Sequence, residues 1–189
     1  MPGLLKKDFA PVAFVKDPII NVSITLPVNP SGEEDVLTFD DVWAGLLHSQ
    51  RFAQEYVPHI VHVEISDKVE LSATTTHYKR VTRLSEEAYP GMPPLVQDVV
   101  VVDHLKVESY THTNNTLAIV TISAGPTENE LYYSLSYERP ADGVEDGSKE
   151  AEKVRNEFIA LGRKNVALCL ELTRKYKAMG KYKNIGRFL

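Results

Sequence analysis

The feature that most constrains this chain is one uninterrupted helical pattern near its end. From Ser148 the sequence runs for about thirty residues without a proline, and Ala151, Val154, Phe158, Leu161, Asn165, Leu168, Cys169, Leu172 and Tyr176 recur at the spacing of a single helical face. Glu150, Lys153, Glu157, Lys164 and Glu171 fall on the opposite face. At 1.5 Å per residue such a helix is about 45 Å long. An apolar stripe of that length needs a broad apolar surface to lie on, and the natural partner is the concave side of a sheet.

That sheet is legible upstream. "INVSITLPV" alternates, with Val22, Ile24, Leu26 and Val28 on one face and Asn21, Ser23 and Thr25 on the other. After the loop "NPSGEED", Thr38 is a good N-cap for a helix whose first turn carries Asp40 and Asp41, both suited to the helix dipole. Its apolar stripe is Phe39, Val42, Trp43, Leu46 and Leu47, with Gln50 inside it and His48 on the opposite, solvated side. From about residue 60 to 139 strand follows strand. "IVHVEIS" places Val61, Val63 and Ile65 together, and "VELSATTTHYKRVTRL" reads as one long strand with Val69, Leu71, Ala73 and Val81 on its odd-numbered face. "LVQDVVVVDHLKVESYT" is two strands or one bent strand, because four consecutive valines obscure its phase. "TLAIVTISA" and "LYYSLSYER" follow as neighbours, and the short connections argue for an antiparallel meander.

Composition narrows the class. A 189-residue chain with 43% hydrophobic content can bury one substantial core. A net charge of −5 argues against a nucleic-acid partner. The single cysteine, Cys169, permits no internal disulfide and suits a reducing, cytoplasmic setting. The opening segment is broken by prolines and charges and reads as neither a secretory leader nor a membrane span. Residues 1–18 read as an N-terminal arm, 19–182 as one domain and 183–189 as a basic C-terminal tail.

The order strand, short helix, six-stranded meander and long helix resembles the START-like (helix-grip, SRPBCC) superfamily, an α+β fold in which a curved antiparallel sheet wraps a long C-terminal helix around an internal cavity. Within it the segments "INVSITLPVN", "LTFDDVWAGLLHSQRFAQEYVPHIVHVEI" and "NELYYSLSYERP" resemble the AtaL-like family, over roughly residues 19 to 178. The acidic insert before the last helix and the basic tail lie outside that resemblance. It implies a role in polyketide or related biosynthetic clusters, similar to cyclases that close rings such as an α-pyrone, with no cofactor and no metal. Expected partners are a hydrophobic, polyketide-like small molecule, a polyketide synthase and a second copy of the chain, without nucleic acid or a membrane span. A non-catalytic carrier and an accessory synthase subunit are the alternatives.

Site residues follow from phase. An inward face of Leu131, Tyr133, Leu135 and Tyr137 puts two phenols in an apolar pocket, where they hydrogen-bond to protein or to a ligand oxygen. Asn165 is an amide in the middle of the last helix's apolar stripe, so it either satisfies a backbone group or orients a ligand carbonyl. His77 shares the odd face with Leu71 and Val81 and is the candidate general base; a bulge would replace it with Tyr78 and Arg80. Trp43, Leu46, Gln50, Phe158, Leu161 and Cys169 are expected to line the pocket. His59 and His62 lack a third converging ligand. Asp103 and His104, as strand neighbours, would point apart.

Overall fold

Among the described residues six of the seven strands follow one another in a continuous meander, and the first of the seven closes the far edge. The structure, a computed structural model, describes residues 19–182; the arm at 1–18 and the tail at 183–189 lie outside the described residues. The elements run β1 (Ile20–Pro27), α1 (Phe39–Arg51), α2 (Ala53–Tyr56), β2 (Ile60–Glu70), β3 (Thr75–Leu84), β4 (Leu95–Val102), β5 (Lys106–Thr111), β6 (Thr116–Ala124), β7 (Leu131–Arg139) and α3 (Lys149–Ala178). They form one antiparallel sheet ordered β1-β7-β6-β5-β4-β3-β2. This is the α+β helix-grip arrangement expected from the sequence.

Local chemistry fixes the helix starts. Thr38 and Asp41 form a capping box, with the Asp41 amide donating to Thr38 Oγ1 at 3.2 Å and the Thr38 amide donating to Asp41 Oδ2 at 2.9 Å. Ser148 caps α3 by accepting from the Ala151 amide at 3.1 Å. α3 lies against β1 and β7 at one side of the concave face and meets α1 and α2 near its C-terminal end.

Two expectations about phase are corrected. "VELSATTTHYKRVTRL" is not one strand: β2 ends at Glu70, the chain turns through residues 71–74, and β3 begins at Thr75. The Leu71 and Ser72 amides both donate to the Thr75 carbonyl, which closes the turn. The alternation is reset before that turn, by a register shift in β2 between Ser66 and Val69, where Asp67 has φ 51°. Ile65 pairs with Arg80 but Val69 pairs with His77, so the odd-numbered residues of β3 point away from the helices and Tyr78 and Arg80 take the inner face, the exchange expected of a bulge. On α3 the buried stripe passes through Gly162 rather than Leu161, which stands 47% exposed. Gly162 is the residue that meets β1: a Cβ there would overlap Cδ1 of Ile24 and sit 3.0 Å from its Cγ1. The obscured valine segment resolves into β4 and β5, joined by a turn at 103–105 in which His104 has φ 55°.

Candidate functional site

Residues opposite one another in an antiparallel ladder share a face, so the register of the sheet assigns every side chain to one side. Ile24 packs on α3 and defines the concave side. From it one row runs Ile24, Leu135, Val120, Val107, Val101 and Thr76. The next row runs Val22, Tyr137, Ala118, Ser109, Val99 and Tyr78. A third crosses β6 to β3 as Thr116, Thr111, Gln97 and Arg80, and every member is polar. The concave wall of β3–β6 therefore grades from an apolar row, through a mixed one, to a polar one.

Arg80 anchors the polar end. It is 8% exposed, and its guanidinium is held by neutral acceptors: Nε donates to Gln97 Oε1 at 2.8 Å, and Nη1 donates to Gln50 Oε1 at 2.7 Å and to the Gln50 carbonyl at 3.3 Å. Gln97 in turn donates to Thr111 Oγ1 at 2.9 Å and accepts from Thr82 Oγ1 at 3.3 Å. Among the described residues no carboxylate pairs with Arg80, and its Nη2 has no hydrogen-bond acceptor. Buried charges are ordinarily paired, so this one is unusual. Burial draws the guanidinium below its ordinary value, yet arginine stays cationic in proteins. Two residues along the same face, Tyr78 is fully buried, and its hydroxyl has no hydrogen-bond partner among the described residues. Burial pushes this phenol up to about 12, against the pull of nearby Arg80, so it stands as a neutral donor.

The expected site residues separate into several places. Gln50 alone joins Arg80. Tyr133 is buried in the main core with Leu46, Leu131 and Leu135, its hydroxyl accepting from Cys169 Sγ at 3.6 Å. Burial pushes the Cys169 thiol up to about 11, which makes it an inert apolar neighbour. Tyr137 meets Phe158 edge-on, with ring centroids 5.5 Å apart, in the second cluster beside Ile20, Val22 and Ile24. The Asn165 amide sits beside the Tyr137 hydroxyl and opposes the rise in its pKa that burial causes. Trp43 lies at the other end of the wall, stacked on His104 at 5.5 Å, with its indole N–H buried and unpartnered among the described residues. Trp43 and Phe158 thus pack in separate clusters, and Leu161 stands exposed.

Both histidine expectations are corrected. His77 shares its row with Val100, Glu108, Ile119, Ser136 and Ser23, which is the convex face. There its Nε2 lies 2.9 Å from Asp98 Oδ1, while His112 Nε2 lies 2.6 Å from Asp98 Oδ2. His48 is not solvated: it is 5% exposed, its Nδ1 lies 3.1 Å from the Tyr56 hydroxyl, and the rings of Phe52, Tyr56, Tyr176 and Tyr182 surround it. Burial holds its pKa below the ordinary imidazole value. Asp103 and His104 occupy a turn rather than a strand and touch, with His104 Nδ1 3.0 Å from Asp103 Oδ1. The signal is readable in the sequence, since Tyr78, Arg80 and Thr82 alternate along β3 and the first two are the pair that a bulge is expected to bring inward.

Among the described residues no three His, Cys, Asp or Glu side chains converge on a metal position, and no helix is long and apolar enough to cross a membrane. The chain is 22% identical over 162 residues to acetylaranotin biosynthesis cluster protein L of Aspergillus terreus (strain NIH 2624 / FGSC A1156), covering 85% of this chain and 91% of that protein. Its fold is similar to that of StfQ, a di-domain ARO/CYC from the steffimycin biosynthetic pathway, with a TM-score of 0.54 at 11% identity. That likeness takes in 84% of this chain and 52% of StfQ, so the chain spans about half of the two-domain protein. It is also similar to XoxI of Bacillus cereus, with a TM-score of 0.51 at 11% identity over 81% of this chain and 94% of XoxI. The model of the family described as acetylaranotin biosynthesis cluster protein L matches residues 22–180, from the third residue of β1 to just past the end of α3, and the chain belongs to this AtaL family.

Proposed function

We propose that the chain takes a linear, polyketide-type intermediate on the concave face and promotes its intramolecular ring closure in secondary-metabolite biosynthesis. The observation that carries this reading is the gradient of the wall. Donors at Arg80 and Tyr78 stand at one end and continue into a floor of Val99, Val101, Val107 and Leu135. A chain of alternating carbonyls and methylenes has matching requirements: oxygens for the donors and hydrocarbon for the floor. The names borne by the relative and by StfQ, a biosynthesis cluster protein and an ARO/CYC, agree with this assignment.

The finer step we assign is lactone closure, reaching an α-pyrone where the chain enolises far enough. An enol oxygen forms a C–O bond to a terminal thioester or acid carbonyl, the enol proton departs, and a thiol or water leaves. Arg80 and Tyr78 would donate to the oxygen on which negative charge develops. Holding the flexible chain in a ring-like conformer contributes on the order of several kcal/mol by itself. One observation favours a carrier as the second reading: no His, Asp or Glu hydrogen-bonds to the Arg80 cluster among the described residues, so no general base stands there.

The test is to incubate the purified chain with a polyketide synthase and follow products with and without it. Faster appearance of a ring-closed product, lost in Arg80→Gln, supports the cyclase. Unchanged products together with tight ligand binding identify a carrier, and an effect seen only in a physical complex with the synthase identifies an accessory subunit.

A further inference from the structure

We infer that the ligand reaches the concave wall as an anion, a carboxylate or the enolate of a 1,3-dicarbonyl, and that its charged oxygen docks on Arg80 Nη2 and the Tyr78 hydroxyl. The inference rests on reading this wall as the ligand site. It names the charge state of the ligand, which the ring-closure reading leaves open.

The argument is one of unbalanced charge. Arg80 stands in the interior with two glutamine side chains and one carbonyl as its acceptors. These neutral oxygens satisfy Nε and Nη1 and fix the plane of the guanidinium, but they carry no charge. Removing a cation from water without a counter-charge is costly, and protein interiors normally supply a carboxylate. Gln50 and Gln97 occupy the positions from which a glutamate would pair with Arg80, and both are amides. The fork of the guanidinium is therefore oriented on one side and uncompensated on the other. Nη2 points no donor at any acceptor among the described residues, and the wholly buried Tyr78 hydroxyl also lacks a partner there. A single anionic oxygen accepting from both would satisfy the phenol and the free edge of the guanidinium, and would neutralise the charge. A neutral carbonyl would satisfy the hydrogen bonds and leave the charge unbalanced. The adjoining row of Val99, Ser109 and Ala118 leads from this point to the apolar row, so the anion would be the head of an otherwise hydrophobic molecule.

The full chain is titrated calorimetrically with two matched pairs of probes. Octanoate against octanamide reports a carboxylate. 5,5-Dimethylcyclohexane-1,3-dione, ionised at neutral pH, against its O-methyl enol ether reports an enolate. At least one anion is expected to bind about 10- to 100-fold more tightly than its neutral partner, the range of a charge-assisted hydrogen bond. The pair that shows the preference identifies which anion the site takes. Gln50→Glu keeps an acceptor on Nη1 and places a carboxylate there. It should abolish the preference while the melting temperature holds level or rises, so loss of binding cannot be ascribed to unfolding. Tyr78→Phe, which keeps the ring, should weaken the anion and leave the neutral probe unchanged. Equal binding of anion and neutral partner in both pairs, or a preference that survives Gln50→Glu, overturns the inference. A preference found in a protein that does not accelerate ring closure leaves the anion site standing and removes the cyclase reading.

Discussion

Gly45 of α1 and Thr173 of α3 meet with no room for a side chain between them: a Cβ on the glycine would overlap Thr173 Oγ1 and sit 2.7 Å from its Cγ2. Thr173 cannot turn aside, because it is buried and its Oγ1 donates to the Cys169 carbonyl at 2.8 Å. Gly45→Ala gains about 1 kcal/mol of helix propensity. It loses about 1–3 kcal/mol to overpacking, so the net change is a loss of up to about 2 kcal/mol. Thermal melts of Gly45→Ala, Thr173→Ala and the double variant check this, and the double variant should recover part of the loss. Simple additivity would show that the two residues do not press on each other. Because α1 also carries Gln50, the single variant should weaken anion binding at Arg80 as well.

His48 gives the fold a pH limit. Desolvation holds its folded pKa below the ordinary value, with Lys181 acting in the same direction and Glu55 opposing. The unfolded chain therefore takes up a proton at a pH where the folded chain does not. The stability that the neutral ring contributes is complete above the ordinary imidazole value of about 6.5 and is lost as pH falls through it. His48→Phe keeps an aromatic ring among Phe52, Tyr56 and Tyr176 and removes the titration. At pH 7.5 it should cost about 1 kcal/mol, for the bond to Tyr56. Its melting temperature should then fall less steeply between pH 7.5 and 5.5 than that of the wild type. Parallel slopes would remove His48 from the account.

Asp98 has the opposite place and a lower window. Burial raises its carboxyl, but hydrogen bonds from His112 and His77 outweigh that and hold it below the ordinary carboxylate value. Its contribution is present above the ordinary pKa and is lost as pH falls below about 4. Asp98→Asn should flatten the acid limb of the stability curve. His77→Ala removes a buried partner of the same carboxylate and should cost about 1–2 kcal/mol, with ring closure unchanged because His77 lies on the convex face. A large fall in ring closure at unchanged stability would return His77 to the chemistry.

The sequence carried the architecture because each element has its own period: β1 and β7 alternate cleanly, Thr38 and Ser148 cap, and the stripe of α3 runs unbroken. It misplaced residues where local identity and tertiary geometry disagree. Leu161 is apolar but lies off the arc that faces β1, and Gly162 holds the contact because nothing larger fits. His48 looked solvated because it falls outside the apolar stripe of α1; a second buried side, against α3 and Tyr182, is invisible in a single-helix projection. His77 shares its face with apolar Val69, as the alternation suggests, but the bulge at Asp67 turns that face outward. The same bulge hides the polar row, since it is what puts Arg80 and not His77 on the inner face. Tyr133 and Tyr137 fall on the inner face, as their alternation requires, and Asn165 meets the second of them, a side-chain partner that the helical stripe alone does not reveal.

That meeting gives the last prediction. On a sheet with about 4.8 Å between strands, Tyr137 on β7 and Tyr78 on β3 are four strands and roughly 19 Å apart along one row. A single ligand oxygen cannot touch both, so Asn165 and Arg80 are separable by experiment. The Asn165 amide stands beside the largely buried Tyr137 hydroxyl. Asn165→Leu takes that partner away and should cost about 1–3 kcal/mol of stability. Octanoate, reaching only the Arg80 end, should bind the variant as it binds the wild type. A melting temperature that holds or rises, together with weaker binding of a longer, multi-ring polyketide, would instead place Asn165 in the ligand's path and extend the site along the full row from β3 to β7.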